Sequence, residues 1–216
     1  MSSSDERVAR EAGQEVATLI ERTGMFFRTF WRVKDERSAN KKIVQKNYSA
    51  GKKMQDCIGV RLALYFADDV SLSREILTRR LGDRFVSETV DEHAEHQFQP
   101  RRLNMIVKMR GEWRGQVSIL QRRSDVVDDT YELQLRTVLS EGWHEVEHDL
   151  RYKELHDWEQ SPESSRILNG ILATLEVCDW SMLQVFDELA HRHYKERNWE
   201  AIAAIEATLT LSRREA

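Results

Sequence analysis

The sequence predicts an α/β (α+β) fold: a β-sheet flanked by helices, with a helix before it and a helical extension after it. Three observations carry that expectation. Short apolar or alternating runs recur between amphipathic helical segments through the first two thirds of the chain. Only helical periods remain beyond Trp158, and no internal repeat or low-complexity linker interrupts either part. The expected division is 1–158 for the sheet domain with its N-terminal helix, and 159–216 for the C-terminal helices.

The opening segment, SDERVAREAGQEVATLIERTGMFFRTFWRV, reads as helical, with Ser4 or Asp5 as cap, because Val8, Val16, Leu19, Ile20 and Thr23 recur at roughly helical spacing before Gly24 interrupts. The aromatic cluster that follows (Phe26, Phe27, Phe30, Trp31) is expected to seal a core. Residues 34–55 are polar and carry little period. IGVRLALYF is short, apolar and β-branched at its start, as a buried strand is. SLSREILTRRL reads as an amphipathic helix stopped by Gly82. DRFVSETV and RLNMIVKM read as two more strands, GEWRG as a turn, and VSILQRR fits strand or helix. YELQLRT alternates as a half-buried strand does, and LSEGWHEVEHDLRYKEL is helical. SPESSRILNGILATLEVCDWSMLQVFDELAHRHY is a long helix with Ser161 as cap and Pro162 at its first position. NWEAIAAIEATLTLSRREA is a final helix.

The chain has 216 residues, 40% apolar and 32% charged, with net charge -4, the composition of an ordinary soluble globular protein. A chain this long hides about 70% of its extended surface on folding. No apolar run reaches the roughly 20 residues of a membrane span. MSSSDERVAREAGQE has neither the basic start nor the apolar stretch of a secretory signal. Cys57 and Cys178 lie far apart, form no metal spacing and are expected to be reduced and buried. The cytoplasm is the compartment these features favour.

Net charge conceals an asymmetry. Between Arg28 and Arg61 stand ten lysines and arginines (Arg28, Arg32, Lys34, Arg37, Lys41, Lys42, Lys46, Lys52, Lys53, Arg61). Only Asp35, Glu36 and Asp56 oppose them, a local balance of +7. Such clustering suits a polyanion, a nucleoside triphosphate or a nucleic acid, as well as a solvated basic face. Within RVKDERSANKK, Lys34, Ser38 and Lys42 are four apart, so a helix would align them in one stripe with Arg32 just before it. Ammonium groups and a hydroxyl suit phosphates. In DCIGVRLALYF, Asp56 precedes a strand, where a carboxylate beside basic residues can hold Mg²⁺, and Gly59 allows close backbone approach. In YELQLRT, Glu132, Gln134 and Arg136 share one strand face and Tyr131, Leu133 and Leu135 the other. A covered polar face there would be the wall of a site.

HEVEH, residues 144–148, also fits the H-E-x-x-H pattern of zinc hydrolases, with His144 and His148 as ligands. The five-residue pattern is permissive, and Glu147 and Asp149 flank the second histidine with charge. A surface or helix-packing role for His144 and a site role for His148 are the readings favoured.

Taken in order, RxKxxxSxxxK, DxxGxR, ELQLRT and WxExEHDLRYK resemble the synthetase domain of the RelA/SpoT family over roughly Phe26 to Lys153. At this length the chain is similar to a small alarmone synthetase. The resemblance implies a nucleotidyltransferase-like mixed β-sheet flanked by helices. It implies Mg²⁺-dependent transfer of pyrophosphate from ATP to the 3′ hydroxyl of a guanine nucleotide, GDP or GTP. By the same resemblance, Arg32 and Arg61 sandwich the adenine, Lys34, Ser38 and Lys42 contact the ATP phosphates, and Asp56 holds Mg²⁺. Glu132 stands by the acceptor hydroxyl as general base or second metal contact. Gln134 and Arg136 support that wall, Arg136 near phosphate, and His148 and Lys153 match the family's helix. Phosphoryl-type transfer needs positioning and charge neutralisation more than covalent chemistry, which such residues supply.

One segment departs from the family. Where it carries Gly-Tyr-Arg-Ser-Leu-His, this chain has QPRRLN, residues 99–104. Arg101 and Leu103 keep the pattern, Pro100 stands at the guanine-stacking tyrosine and Asn104 at the histidine. Base stacking on an aromatic ring is worth about 1–3 kcal/mol, so a loss near 2 kcal/mol weakens acceptor binding roughly thirtyfold. Phe98 or Trp113 is the candidate replacement ring. Two further readings follow from this departure. The acceptor is instead an adenine nucleotide or the 3′ end of tRNA, as in toxic family members, with an antitoxin partner; or the chain is a nucleotide-binding sensor that has lost transfer. Small family members often form tetramers through C-terminal helices. Leu168, Leu172, Leu175, Met182, Leu183 and Phe186 therefore serve a homo-oligomer or pack on the sheet.

Overall fold

The computed structural model describes residues 3–49, 51–90, 103–147, 150, 158 and 160–203. Among them five strands form one mixed sheet in the order β1-β2-β5-β4-β3. They are β1 (Phe27–Val33), β2 (Ile58–Leu64), β3 (Phe85–Val90), β4 (Leu103–Lys108) and β5 (Thr130–Thr137). β2 and β5 run parallel, and the other neighbours run antiparallel. The helices are α1 (Ser3–Ile20), α2 (Glu36–Gln45), α3 (Ala67–Leu81), α4 (Gly111–Arg114), α5 (Ser118–Arg122), α6 (Val138–Val146) and α7 (Pro162–Lys195). This is the helix-flanked mixed sheet expected from the sequence.

One sheet face is the core. Val8, Ala12, Val16 and Ile20 recur every four residues on α1, so they make one stripe. They join Val60, Leu62, Met105, Val107, Leu133 and Leu135 in a single buried cluster. α1 lies against β1 at Gly13, where a Cβ would stand 2.9 Å from Trp31 Cε3 and displace the indole. The helix runs into a 3₁₀ turn, Glu21–Thr23, and Gly24 at φ 87° ends it in the left-handed region where side chains are strained.

The structure differs from the sequence expectations at several elements. Ser4 and Asp5 lie inside α1 rather than capping it. Asp5 is buried and accepts from the Ser118 N–H (2.7 Å) and hydroxyl (2.5 Å), and Ser4 donates to the Gln116 carbonyl (2.9 Å). FRTFWRV is a strand, so its aromatics divide between faces instead of sealing a core together. Phe27 packs on the core, Phe26 stacks on Tyr65 (5.4 Å), and Phe30 and Trp31 are exposed. Within the polar stretch 34–55, Asp35 caps α2 by accepting the Ser38 N–H (2.9 Å). GEWRG and VSILQRR form the short helices α4 and α5. Cys57 is buried, and burial pushes its thiol up to about 12; Cys178 is exposed, because α7 turns that side to solvent. Ser161 sits at the N-cap position of α7 with Pro162 next, but its side chain makes no cap bond, and its carbonyl receives the Ser165 N–H (3.1 Å).

α7 is tied to the end of the sheet. The Thr137 hydroxyl donates to buried Asp179 (2.6 Å), and Trp143 Nε1 donates to the Leu168 carbonyl (3.3 Å). Leu172 is buried, while Ile167, Ile171, Val177, Trp180, Met182, Val185 and Phe186 are exposed. Among the described residues, no helix is long and apolar enough to cross a membrane.

Candidate active site

The face opposite α1 collects the polar residues, and strand alternation explains how. Tyr131, Leu133 and Leu135 of β5 are wholly buried on the core side, so Glu132, Gln134 and Arg136 point to the other. The register extends that second face in rows: Arg32, Gly59, Glu132 and Ile106; then Phe30, Arg61, Gln134 and Asn104; then Arg28, Ala63 and Arg136. Arg32 lies over Gly59, where an added Cβ would meet its Cγ and Nε at 3.5 Å. β5 is not half-buried as its alternation suggested. Gln134 and Arg136 are buried too, because α6 covers their face.

At one side of this face, Lys34 and Lys42 converge on Asp56. Both ammonium groups donate to Oδ2 at 2.6 Å. α2 makes this possible: Lys34 lies just before the Asp35 cap, and Lys42 two helical turns on reaches back to the same carboxylate. Burial by itself would raise the Asp56 carboxyl, but the two lysines outweigh it and hold it below its ordinary value. Burial likewise opposes the charge on Lys42, yet Asp56, with smaller contributions from Tyr48 and Glu132, raises it. Asp56 Oδ1 is buried without a hydrogen-bond partner. A buried carboxylate oxygen left unpaired is costly, so this atom is suited to a cation.

Next to it, Arg61 and Arg136 are held by a polar network. Gln134 Oε1 accepts from Arg61 Nε (2.9 Å) and Arg136 Nη2 (3.1 Å), and Gln134 Nε2 donates to Glu132 Oε2 (2.7 Å). Arg61 Nη1 also donates to Glu141 and Glu145 of α6, and Glu141 lies 3.6 Å from Arg136 Nη1. Burial opposes the Arg61 charge, but Glu145 and Glu141 raise its pKa above the ordinary value. α6 is aimed by Thr137, whose hydroxyl accepts the Ser140 N–H (3.1 Å) directly after β5.

Eight of the expected residues therefore share one surface: Arg32, Lys34, Lys42, Asp56, Arg61, Glu132, Gln134 and Arg136. Ser38 is exposed in the first turn of α2, so the Lys34–Ser38–Lys42 stripe contributes its two lysines to the carboxylate. Asn104 stands beside Gln134 in register, with Oδ1 buried and unpartnered. Arg101, His148 and Lys153 lie outside the described residues, as do Phe98 and Pro100. Trp113 does not supply a ring. It is buried on the opposite face, donates to Glu11 (2.9 Å) and meets Tyr131 edge-on. Glu141 is not among the expected residues, and Glu145 enters only as part of the WxExEHDLRYK motif, without its contact to Arg61. The available signal was two acids four apart on a helix directly following the Glu132–Arg136 strand. His144 is buried in α6, and among the described residues no three His, Cys, Asp or Glu side chains gather as a metal cage.

Residues 31–157 match the RelA_SpoT family, described as the region found in RelA / SpoT proteins. No curated protein matches the sequence. Among solved structures, the small alarmone synthetase 1 of Bacillus subtilis bound to its product pppGpp superposes with TM-score 0.61 at 20% identity, over 87% of this chain and 95% of that one. The same enzyme bound to AMPCPP gives TM-score 0.57 at 19% identity, over 88% and 95%. A GTP pyrophosphokinase family protein of Streptococcus pneumoniae gives TM-score 0.65 at 19% identity, over 88% and 92%. At these identities the likeness establishes the fold.

Proposed function

Because this chain belongs to the RelA/SpoT family, we propose that it transfers pyrophosphate from ATP to the 3′ hydroxyl of a nucleotide. One observation carries the reading. Asp56, with two lysines on one oxygen and none on the other, lies at the same sheet face as Glu132 and two arginines.

Each residue has a role in that reaction. The edges of the Arg61 guanidinium are occupied by Gln134, Glu141 and Glu145. A guanidinium bonded through its edges offers its flat faces for stacking, so in this reading Arg61 stacks on adenine from one side and Arg32 from the other. Lys34 and Lys42 exchange part of their contact with Asp56 for the triphosphate. Glu132, held by Gln134, takes the proton of the acceptor hydroxyl. Mg²⁺ supplies charge neutralisation on the transferred group when bound; the unpaired Asp56 Oδ1 fits it, and Glu132 is the second carboxylate available. GDP or GTP is the family acceptor, and the small alarmone synthetase 1 of Bacillus subtilis carries pppGpp as its product. Pro100, at the position of the stacking tyrosine, makes an adenine nucleotide or the 3′ end of tRNA the second reading for the acceptor. The exposed apolar side chains of α7 support self-association, with residues 159–216 as the appended unit.

The test is incubation with ATP labelled at the β- and γ-phosphates, Mg²⁺ and, separately, GMP, GDP, GTP, ADP and tRNA. A labelled 3′-pyrophosphorylated product is expected. ATP binding by calorimetry with no product from any acceptor would reassign the chain to a nucleotide-binding sensor.

A further inference from the structure

We infer that Gln134 is the positioning residue that orients Glu132, through an amide whose polarity two arginines fix. The inference rests on the transferase reading only for its catalytic consequence; the contact itself is independent of it.

An amide side chain can turn either its oxygen or its NH₂ towards a neighbour. Here the choice is forced. Oε1 receives Arg61 Nε at 2.9 Å and Arg136 Nη2 at 3.1 Å. Both donors belong to guanidinium groups, which accept nothing. A flipped amide would set its NH₂ against both, leaving two charged donors facing two more. Nε2 therefore faces Glu132 and donates to Oε2 at 2.7 Å. The arginines are fixed in turn, since Glu141 receives Arg61 and lies 3.6 Å from Arg136, while Glu145 holds Arg61 from the next turn of α6. One oxygen of Glu132 is thereby committed to the protein, and the other is left for the acceptor hydroxyl. The same chain joins Arg61, the adenine-facing group, to the carboxylate that takes the proton.

Among the described residues, the charged groups around this pair come from several elements. β1 brings Arg32, α2 brings Lys42 and β2 brings Arg61. β5 brings Arg136, and α6 brings Glu141 and Glu145, while β4 brings the uncharged Asn104 and Ile106.

Two measurements on the full chain test the inference. The first compares the Gln134 side-chain amide by ¹⁵N NMR at one pH in the wild type and in Glu132→Ala. The amide protons facing Glu132 are expected downfield in the wild type and to move upfield in the variant; a resonance that the substitution leaves in place overturns the inference. The second is kinetic. Gln134→Glu keeps an acceptor for both guanidiniums but sets a second carboxylate against Glu132. The expected result is kcat lower by about tenfold or more at pH 7. The Kd for ATP should stay within about threefold. Gln134→Met, of similar volume and without polar atoms, should lose kcat by about tenfold as well. A Gln134→Glu kcat equal to that of the wild type overturns the inference. Absence of transfer by the wild type with every acceptor refutes the transferase reading instead, and the amide resonance still decides the contact.

Discussion

Asp56→Asn removes one charge and leaves two. Lys34 and Lys42 each approach the same Asp56 oxygen at 2.6 Å, so their ammonium nitrogens can be no more than about 5 Å apart. At an effective dielectric near 20, two like charges at that distance repel by about 3 kcal/mol. Both also lose an attractive partner. Solvent moderates the effect, because the Lys42 side chain is 33% exposed and can swing away, whereas Lys34 is 17% exposed and cannot. Screening of that kind reduces the expected loss of stability to about 1–2 kcal/mol. For a chain of this size that corresponds to a fall in Tm of about 3–6 °C. Thermal unfolding followed by circular dichroism in EDTA measures it without any metal. Inorganic tripolyphosphate, which pairs the lysines directly, should then close much of the gap between variant and parent. A variant that melts with the parent, or a gap that widens as tripolyphosphate is added, refutes the assignment of these lysines to a phosphate-exchangeable pair.

Three other outcomes follow from the same geometry. Glu132→Gln should lower kcat by about 10²–10⁴ while moving Tm by less than about 2 °C, and turnover retained at the parent level would assign the base elsewhere. Asp56 is held below its ordinary carboxyl value despite burial, because Lys34 and Lys42 outweigh it. Its contribution to stability is therefore complete above the unfolded pKa of about 3.9 and is lost as pH falls through the lower folded value. Urea midpoints of parent and Asp56→Asn should differ at pH 7 and draw together as pH falls below the unfolded pKa of about 3.9, and a constant difference would disprove the coupling. Thr137→Val removes both the α6 cap and the donor to Asp179. A loss of about 1–2 kcal/mol is expected from the urea midpoint, and a parent-like midpoint would show the cap to be idle.

The parts of the site legible in the sequence are those that one element encodes. Glu132, Gln134 and Arg136 alternate within a single strand, so their common face follows from a period of two. Lys34 and Lys42 reach the same carboxylate because the Asp35-capped helix brings both to the start of β2. β1 was missed as a strand: FRTFWRV places aromatics at 27, 30 and 31, which breaks a two-residue alternation. As an edge strand beside α1 it also leaves Phe30 and Trp31 partly in solvent. The clamp on Arg61 was invisible for another reason. Glu141 and Glu145 stand 80 and 84 residues from it, and only the parallel pairing of β2 with β5, followed directly by α6, brings them together. Parallel neighbours need a long crossover, and no local pattern reports which partners it delivers.

The same pairing divides the polar face by charge. In the rows through Glu132 and Gln134, β1 and β2 contribute Arg32 and Arg61, with Lys34 and Lys42 nearby on Asp56. In those two rows β4 and β3 contribute Ile106, Asn104, Ser87 and Thr89, none of them charged. In the transferase reading proposed above, a triphosphate is drawn to the first side, because its charge needs cations and the second side offers none in these rows. An acceptor on the second side meets Glu132 at the boundary and must be recognised by hydrogen bonds rather than by charge. Asn104 Oδ1, buried and without a partner, asks for a donor there, which a nucleotide carries in its ribose hydroxyls and amino groups. On that reading the unequal halves hold a donor by electrostatics and select an acceptor by shape and hydrogen bonding, with Gln134 joining the two.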